Sequence, residues 1–548
     1  MESTATRESC YLTGWKLAII ITSLYFGSFL IALDTTIINV AVPKISTDFQ
    51  SLGDIAWYGT AYLLTVTAFQ PIFGSFYKFF NTPVVYKISI IIFEVGSVLC
   101  AAAPSSPVFI FGRAIAGLGA AGILQGALSI ISQIVPLEKR PMYMGIVISV
   151  FAVTVCAGPP LGGAFTQNVS WRLCFWVNLP IGAVVLIALQ FLLKIDDKNN
   201  HHRQQSLRNK FLNMDPIGCL LFISAVCCLL LALQWGGQTK PWSSATIIGL
   251  FIGFGGLTAI FVIIQLKLGA KALIPVHVFK RQSIWTGAMV LFFLGSCTYL
   301  ITFFLPFWFQ SVRDITPIDS GVYFIPYLLP QILALVAVGV LVKVTGHYVP
   351  YMLLGEAICI AGTALLTTLH GNTTTVQWAA YLVMAGMGMG MAMQLPYTAV
   401  QITLSDDDIP TGNGIAVLFY QLGGAMAISF GQTITISTIF QKLPSQLPGL
   451  RPDAVLKAGA AGLSLLVSSP RELEILKSIW NTAISRSMIL AAAMAASSIP
   501  FTLGMEWLNV KKVAEAKKLQ ANEEQRGESG LDQKIAPSEA KCISGEPL

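Results

Sequence analysis

The sequence predicts an all-α polytopic membrane protein with fourteen transmembrane helices, arranged as two six-helix bundles plus two inserted central helices. Three observations predict it. Only 11% of the residues are charged and 54% are hydrophobic, whereas a soluble chain carries roughly a quarter charged residues. Apolar runs of membrane-spanning length recur from end to end, each long enough for a hydrocarbon core about 30 Å thick. Part of the pattern also returns, in order, later in the same chain.

Taken in order, the expected spans lie near 17–41, 56–77, 86–104, 108–134, 143–166 and 173–193, then 215–235 and 245–267, then 285–309, 319–342, 350–369, 377–404, 412–437 and 485–508. Span 1 is too long for a cleavable signal and is expected to remain in the chain. Span 5 holds the run Ala157-Gly158-Pro159-Pro160-Leu161-Gly162-Gly163. Proline there removes backbone hydrogen bonds and glycine admits a neighbouring helix, so span 5 is expected to be bent and closely packed. With the N-terminus cytoplasmic, 23 of the 34 Lys and Arg fall on inner loops and tails, the asymmetry of the positive-inside rule. The net charge of +7 therefore marks an orientation and not a nucleic-acid partner; the chain's partner is the lipid bilayer. Two Asn-x-Ser/Thr sequons, Asn168 and Asn372, fall on the outer side and are N-glycosylation candidates.

The duplication fixes the grouping of the spans. Ala116-Gly117-Leu118-Gly119 and Gln125 in span 4 return as Ala385-Gly386-Met387-Gly388 and Gln394 in span 12. Pro141, Gly145 and Gly162 match Pro410, Gly414 and Gly431 at the same offset of 269. Upstream, Gly74, Lys78 and Tyr86 match Gly339, Lys343 and Tyr351 at an offset of 265. The expected organisation is an inner tail at 1–16, a first bundle at 17–194, and a cytoplasmic loop with the inserted pair at 195–270. A second bundle follows at 271–508, with a long outer loop at 438–484, and a cytoplasmic, disordered tail at 509–548. Parallel repeats of this kind enclose a central path at their interface that opens alternately to each side.

Several motifs carry a family resemblance. They are Leu33-Asp34-Thr35-Thr36-Ile37-Ile38-Asn39-Val40-Ala41-Val42-Pro43, Gly112-Arg113-Ala114-Ile115-Ala116-Gly117-Leu118-Gly119, the Gly158 to Gly163 run, Trp171-Arg172, and Asn178-Leu179-Pro180-Ile181-Gly182. With these the chain resembles the major facilitator superfamily from about residue 15 to 510. It is most similar to the fourteen-span drug:proton antiporter branch and its fungal toxin and multidrug efflux transporters. The resemblance implies a major-facilitator-type fold and a proton-coupled antiporter, working as a monomer, that exports a hydrophobic or amphipathic small molecule. It implies no cofactor beyond the proton gradient, no enzymatic activity, and a plasma-membrane location, with a vacuolar or vesicular membrane as the alternative. Gly158, Pro159, Pro160, Gly162 and Gly163 resemble the family's antiporter motif, although Thr154 stands where that motif often has glycine. Between spans 2 and 3 the family has an acidic residue that helps to latch the cytoplasmic side; here that residue is Lys78, so a different or looser latch is expected.

An ionisable side chain at membrane depth is a functional hypothesis in itself. Asp34 lies about 10 Å from the outer end of span 1 and Arg113 about 9 Å into span 4, so the two depths match. Burial favours a neutral carboxyl and a neighbouring guanidinium favours a charged one. A motion that altered either would alter proton binding, which makes Asp34 and Arg113 the proton-coupling candidates; a structural reading has Asp34 buttressing the break before Pro43. Asn39, Gln125, Gln394, Phe303, Phe307 and Trp308 are candidates for the substrate cavity, with helix packing as the alternative for each. Glu94 and Glu356, on the third helix of each half, are expected to be structural. No metal-ligand spacing occurs among ten Cys and five His, and no phosphate-binding G-x-x-x-x-G-K-[ST] loop is present. The rival functions are an importer or vacuolar carrier for siderophores or basic amino acids, and a non-transporting membrane sensor. The duplicate lacks the special residues: Leu382 corresponds to Arg113, and Ala427-Ile428 to Gly158-Pro159. Proton coupling is therefore assigned to the first half.

Overall fold

The structure is a computed structural model that describes residues 12–51, 54–193, 206–237, 240–452, 454–455, 463, 466–467, 469–517 and 519. The first group of helices is α1 (Gly14–Asp48), α2 (Ile55–Phe79), α3 (Thr82–Ala101), α4 (Ser106–Ile134), α5 (Arg140–Ile148), α6 (Val150–Asn168), α7 (Leu173–Trp176) and α8 (Asn178–Leu192). Next come a short α9 (Leu207–Asn213) and the inserted pair α10 (Pro216–Trp235) and α11 (Ala245–Leu268). The last group is α12 (Val276–Phe279), α13 (Gln282–Arg313), α14 (Pro317–Val322), α15 (Ile325–Thr345), α16 (Val349–Leu366), α17 (Thr375–Ala392), α18 (Leu395–Thr403), α19 (Ile409–Gln446) and α20 (Pro470–Leu503).

Among the described residues, twelve helices are long and apolar enough to cross a membrane. A thirteenth is the pair Leu137–Val155 and Pro160–Thr166, bent by 49° at the expected proline–glycine run. The expected span at 56–77 is present as α2 but is not one of these. Its Thr60, Thr65, Thr67, Gln70 and Ser75 dilute its hydropathy, and Thr67 and Gln70 are fully buried against other helices. The outer loop expected at 438–484 is shorter than the sequence suggested. α19 continues to Gln446 and α20 begins at Pro470, because these amphipathic segments carry helix-compatible charge beyond the apolar run. Within that loop, the Gly-Ala run at 458–462 lies outside the described residues, as do Lys194, Lys198, Arg203 and the tail beyond 519.

Packing follows the internal repeat. α3 lies on α4 as α16 lies on α17, α2 on α4 as α15 on α17, and α1 on α6 as α13 on α19. The match extends to single crossings. A Cβ on Gly96 would collide with the backbone of Ala116, and one on Gly362 with that of Ala385; a Cβ on Gly117 would strike the Tyr62 carbonyl, and one on Gly386 that of Tyr327. Where no hydrophobic force separates helix from lipid, such small-residue crossings provide the packing. The two groups touch through α2 on α19 and through α15 on α5 and α6.

The inserted pair docks beside the first of these seams, with α10 against both α2 and α19. Trp57 and Trp235 meet edge to face, and Ser429 donates to the Leu233 carbonyl at 2.8 Å. Asp215 fastens the base of the pair. Its buried carboxylate accepts from Gly218 N at 2.8 Å, from Gln265 Nε2 at 2.5 Å and from Leu273 N at 3.3 Å.

Candidate functional site

Asp34 and Arg113 come together. Arg113 Nη1 donates to Asp34 Oδ2 at 2.6 Å, with each residue only 1% exposed. Arg113 Nε donates to the Tyr58 carbonyl at 2.8 Å, and the guanidinium lies 4.4 Å from the Tyr62 ring centroid. These contacts fix the guanidinium plane, so one face meets an aromatic ring and one edge meets a carboxylate. Asp34 Oδ1 has no hydrogen-bond partner among the described residues. A buried carboxylate accepting through one oxygen alone has an open acceptor for a proton or a water.

Beside the pair, towards the C-terminal end of α1, the rings of Phe49, Tyr58, Phe109, Trp171 and Phe175 pack together, Tyr58 and Phe109 being 5.0 Å apart at their centroids. Trp171 Nε1 donates to Asp48 Oδ2 at 2.8 Å. Tyr58 Oη donates to Ser106 Oγ at 3.0 Å, and Ser106 Oγ to Asp54 Oδ2 at 2.6 Å. The hydrogen bonds from Ser106 and then Ser51 hold Asp54, at the N-terminus of α2, below the usual carboxylate range.

The proline–glycine run bears directly on this pair. Gly158 of α6 faces Thr36 of α1, where a Cβ would overlap the Thr36 side chain, and a Cβ on Gly162 would lie 2.8 Å from the Ile37 carbonyl. α6 therefore lies against the turn of α1 that carries Asp34. Gly163 is buried beside Gly162, while Pro160 is half-buried at the bend. Pro159 and Asn39 sit on α6 and α1, with side chains outside the described set.

The other sequence candidates separate. Phe303 and Phe307 are half-buried and meet at a tilt, with ring centroids 5.3 Å apart. Trp308, expected at the cavity, is instead completely buried. Its indole N–H donates to Asn481 Oδ1 of α20 at 2.7 Å, which satisfies the one polar atom of the ring inside the packing core. Gln125 and Gln394, also expected at the cavity, are used between helices. Gln125 Nε2 donates to the Pro410 carbonyl of α19, and Gln394 Nε2 to the Leu335 carbonyl of α15 at 3.1 Å. Asn168 and Asn372 are exposed. Glu356 Oε1 accepts from Thr502 at 2.6 Å, a helix-to-helix bond between α16 and α20. Glu94 faces Gly182 of α8.

Sequence reasoning missed what replaces the acidic latch. Lys78 Nζ at the end of α2 binds Asp408 Oδ1 at 2.7 Å, and Asp408 Oδ2 lies 3.2 Å from His277 Nε2 and 3.0 Å from Ser405 Oγ. Burial pushes the Asp408 carboxyl up, but the hydrogen bond and charge of Lys78, with His277 and Ser405, hold it below its ordinary value. The polarity of the contact is reversed, with the cation on α2 and the carboxylate at the N-terminus of α19, where the helix dipole also favours it. Close by, Arg140 Nη1 donates to Gln401 Oε1 at 3.1 Å. A Cβ on Gly339 would lie 2.8 Å from Met142 Cα, and one on Gly74 3.0 Å from the Pro410 carbonyl. The ends of the two groups on the side where α2 stops and α19 starts are thus closed on each other. The signal for Asp408 was present as Asp406-Asp407-Asp408, three carboxylates in a loop between two apolar runs that is devoid of Lys and Arg.

Comparison with known proteins now decides the family. Residues 24–428 match the Major Facilitator Superfamily. The chain belongs to the major facilitator superfamily. Among its superfamily relatives are the MFS-type efflux pump MFS1 of Arthroderma benhamiae, 40% identical over 91% of this chain and 93% of the relative, and the aspyridones efflux protein of Neocamarosporium betae, 40% identical over 93% and 90%. The efflux pump aflT of Aspergillus parasiticus is 38% identical over 93% and 99%. The fold is similar to that of the human organic anion transporter MFSD10, with TM-score 0.56 and 12% identity, over 88% of this chain and 100% of that one. Family and helices together make this a multi-pass membrane transporter of the superfamily.

Proposed function

We propose that the protein is a proton-coupled antiporter with fourteen membrane crossings, α2 and the bent α5–α6 included, that expels a hydrophobic or amphipathic small organic molecule such as a drug, toxin or secondary metabolite. It works as a monomer in the plasma membrane, carries out no covalent chemistry, and draws on the proton gradient. The observation that carries this reading is the fully buried Asp34–Arg113 pair, whose Asp34 Oδ1 has no partner among the described residues. The naming of its relatives as efflux pumps supports the direction.

The geometry supports a simple cycle. With the cytoplasmic ends closed by Lys78–Asp408 and by the packing of Gly74 and Gly339, a proton arriving from outside neutralises Asp34. Its hold on Arg113 then weakens from an ion pair to a neutral hydrogen bond. α1 and α4 lose that attraction, and α6, lying on the same turn of α1 through Gly158 and Gly162, follows. A proton shifts the conformational equilibrium only because the two states bind it differently; making or breaking one buried ion pair supplies the difference. Opening to the cytoplasm then requires the Lys78–Asp408 contact to part, and cargo entering there restores the charged pair by displacing the proton inward.

The test is efflux from reconstituted vesicles under an imposed pH gradient, screened against a panel of organic compounds. Asp34→Asn should abolish the gradient dependence while the protein remains folded in the membrane. Undiminished gradient-driven transport by that variant would sink the coupling role. Absence of any gradient-driven flux in the parent protein would favour a sensor instead.

A further inference from the structure

On the lipid-facing side of the first six-helix group, α3 and α8 diverge to form a groove of about 470 Å³, within the size range of small-ligand sites. Its walls are apolar: Ile88 and Ile91 of α3 are each 50% exposed, and Ile187 and Phe191 of α8 are 59% and 74% exposed. One end is polar. Lys87 Nζ donates to Gln190 Oε1 at 2.6 Å, and both residues line the groove. This end is cytoplasmic, since α3 starts at Thr82 just after the inner end of α2 and α8 ends at Leu192 before the basic inner loop. Lys87 lies roughly 8 Å along α3 from that end, at a depth from which a lysine extends its ammonium to the interface while its stem stays on apolar surface.

Lys87 contrasts with three lysines at helix ends that are neutralised by a partner. Lys78, Lys44 and Lys477 each face a carboxylate, Asp408, Asp48 and Asp314 respectively. Lys87 has no carboxylate within ion-pair distance among the described residues. Its one side-chain bond is to a neutral amide that orients the ammonium and leaves N–H groups of both side chains to donate outward. An unneutralised cation at the mouth of an apolar groove calls for an amphiphile with an anionic head.

We propose that this groove is a binding site for an anionic glycerophospholipid of the cytoplasmic leaflet. One acyl chain lies along Ile88, Ile91, Ile187 and Phe191, and the phosphate is held by Lys87 and the Gln190 amide. The site is separate from the Asp34–Arg113 pair and does not depend on the transport reading.

The test uses the full-length protein in nanodiscs of mixed phosphatidylcholine and phosphatidylserine, followed by mild extraction and native mass spectrometry of retained lipid. The expected result is retention of phosphatidylserine above its bulk fraction. Lys87→Gln should lower that enrichment about fivefold, the worth of one interfacial lysine, whereas Lys87→Arg should keep it. Ile91→Trp, which fills the groove without touching the charge, should also lower it. Equal retention by the parent and Lys87→Gln would overturn the proposal. Enrichment that survives Ile91→Trp would reduce it to a surface-charge effect and overturn the groove, as would a second copy of the chain occupying this face.

Discussion

Where α6 crosses α1, the helix is bent by 49° and meets its neighbour through Gly158 and Gly162. Where the counterpart α19 crosses α13, it runs unbroken for 38 residues and meets its neighbour through Gly423, against the Phe292 backbone, and through Gly295 of α13, against Tyr420. Both halves retain a close approach between these helices, but only the first has a break in it. The same half holds the buried ion pair. At the offset of 265 Asp34 corresponds to Tyr299, which donates to Gln421 Oε1 at 2.5 Å, and Arg113 corresponds to the fully buried Leu382. Bend and charge are therefore absent together from the second half, while the seams of α3 on α4 and α16 on α17 stay alike. The difference teaches that the bent helix and the ion pair occur together and touch through α1, while the fold around them is shared by both halves.

The comparison is broken most strongly at the pair itself. Arg113→Leu leaves Asp34 buried without its partner and is expected to cost about 3–5 kcal/mol, read as a lower melting temperature together with loss of gradient-driven efflux. Asp34→Tyr combined with Arg113→Leu recreates the second half's residues. It should regain most of the stability, because replacing both ions removes the uncompensated charge, yet remain without proton coupling. Coupled transport by the double variant would refute the assignment.

A smaller effect is expected at the bend. Gly158→Ala places a methyl group on Thr36 and should destabilise by about 1–3 kcal/mol and slow turnover. Transplanting Gly-Pro to positions 427–428 should not rescue a chain that lacks Gly158-Pro159; rescue would make the halves interchangeable. At the cytoplasmic latch, Asp408→Asn should favour the inward-open form by about 0.5–3 kcal/mol, seen as greater labelling of a cysteine placed at Thr411. Exchanging the charges, Lys78→Asp with Asp408→Lys, should reverse part of that change. Because Asp408 is held below its ordinary value, its contribution is complete above the unfolded carboxylate value near 4 and fades only as pH falls through the lower folded one. With His277, the other titratable group on Asp408, replaced by Gln, labelling should therefore be insensitive to pH between 6 and 8; a change across that range would place the titrating group elsewhere. Smallest of all, Tyr299→Phe removes one hydrogen bond and should lower stability by about 1 kcal/mol, while the pH dependence of efflux stays fixed.

Much of this organisation is legible in the sequence because membrane burial simplifies the code. Hydropathy places the helices, and the rarity of charge inside them isolates Asp34 and Arg113 without any structure. The repeated Ala-Gly-x-Gly motifs predict equivalent crossings because only glycine permits that approach. Other features are not local. Whether Gln125 and Gln394 face a cavity or a neighbouring carbonyl depends on which helix lies opposite, and a single chain does not state that. Trp308 reads as a stacking surface until Asn481, 173 residues later, is seen to hold its N–H. Lys78 looks like a defect in a motif until Asp408 supplies the missing charge from the other side. α2 shows the reverse limit, since its polar residues lower its hydropathy for the same reason that they suit a helix buried between others.

The contact of Gly158 and Gly162 with Thr36 and Ile37 has a mechanical consequence. With α6 contributing no side chain at these two positions, only Thr36 and Ile37 of α1 lie between the helices, and little is left to absorb a small displacement. A small shift beside Asp34 would be handed directly to α6, and the bend at the prolines would act as the joint that turns it into a swing of the helix end. The C-terminal half of α6 would then be a lever whose short arm is a single carboxyl group.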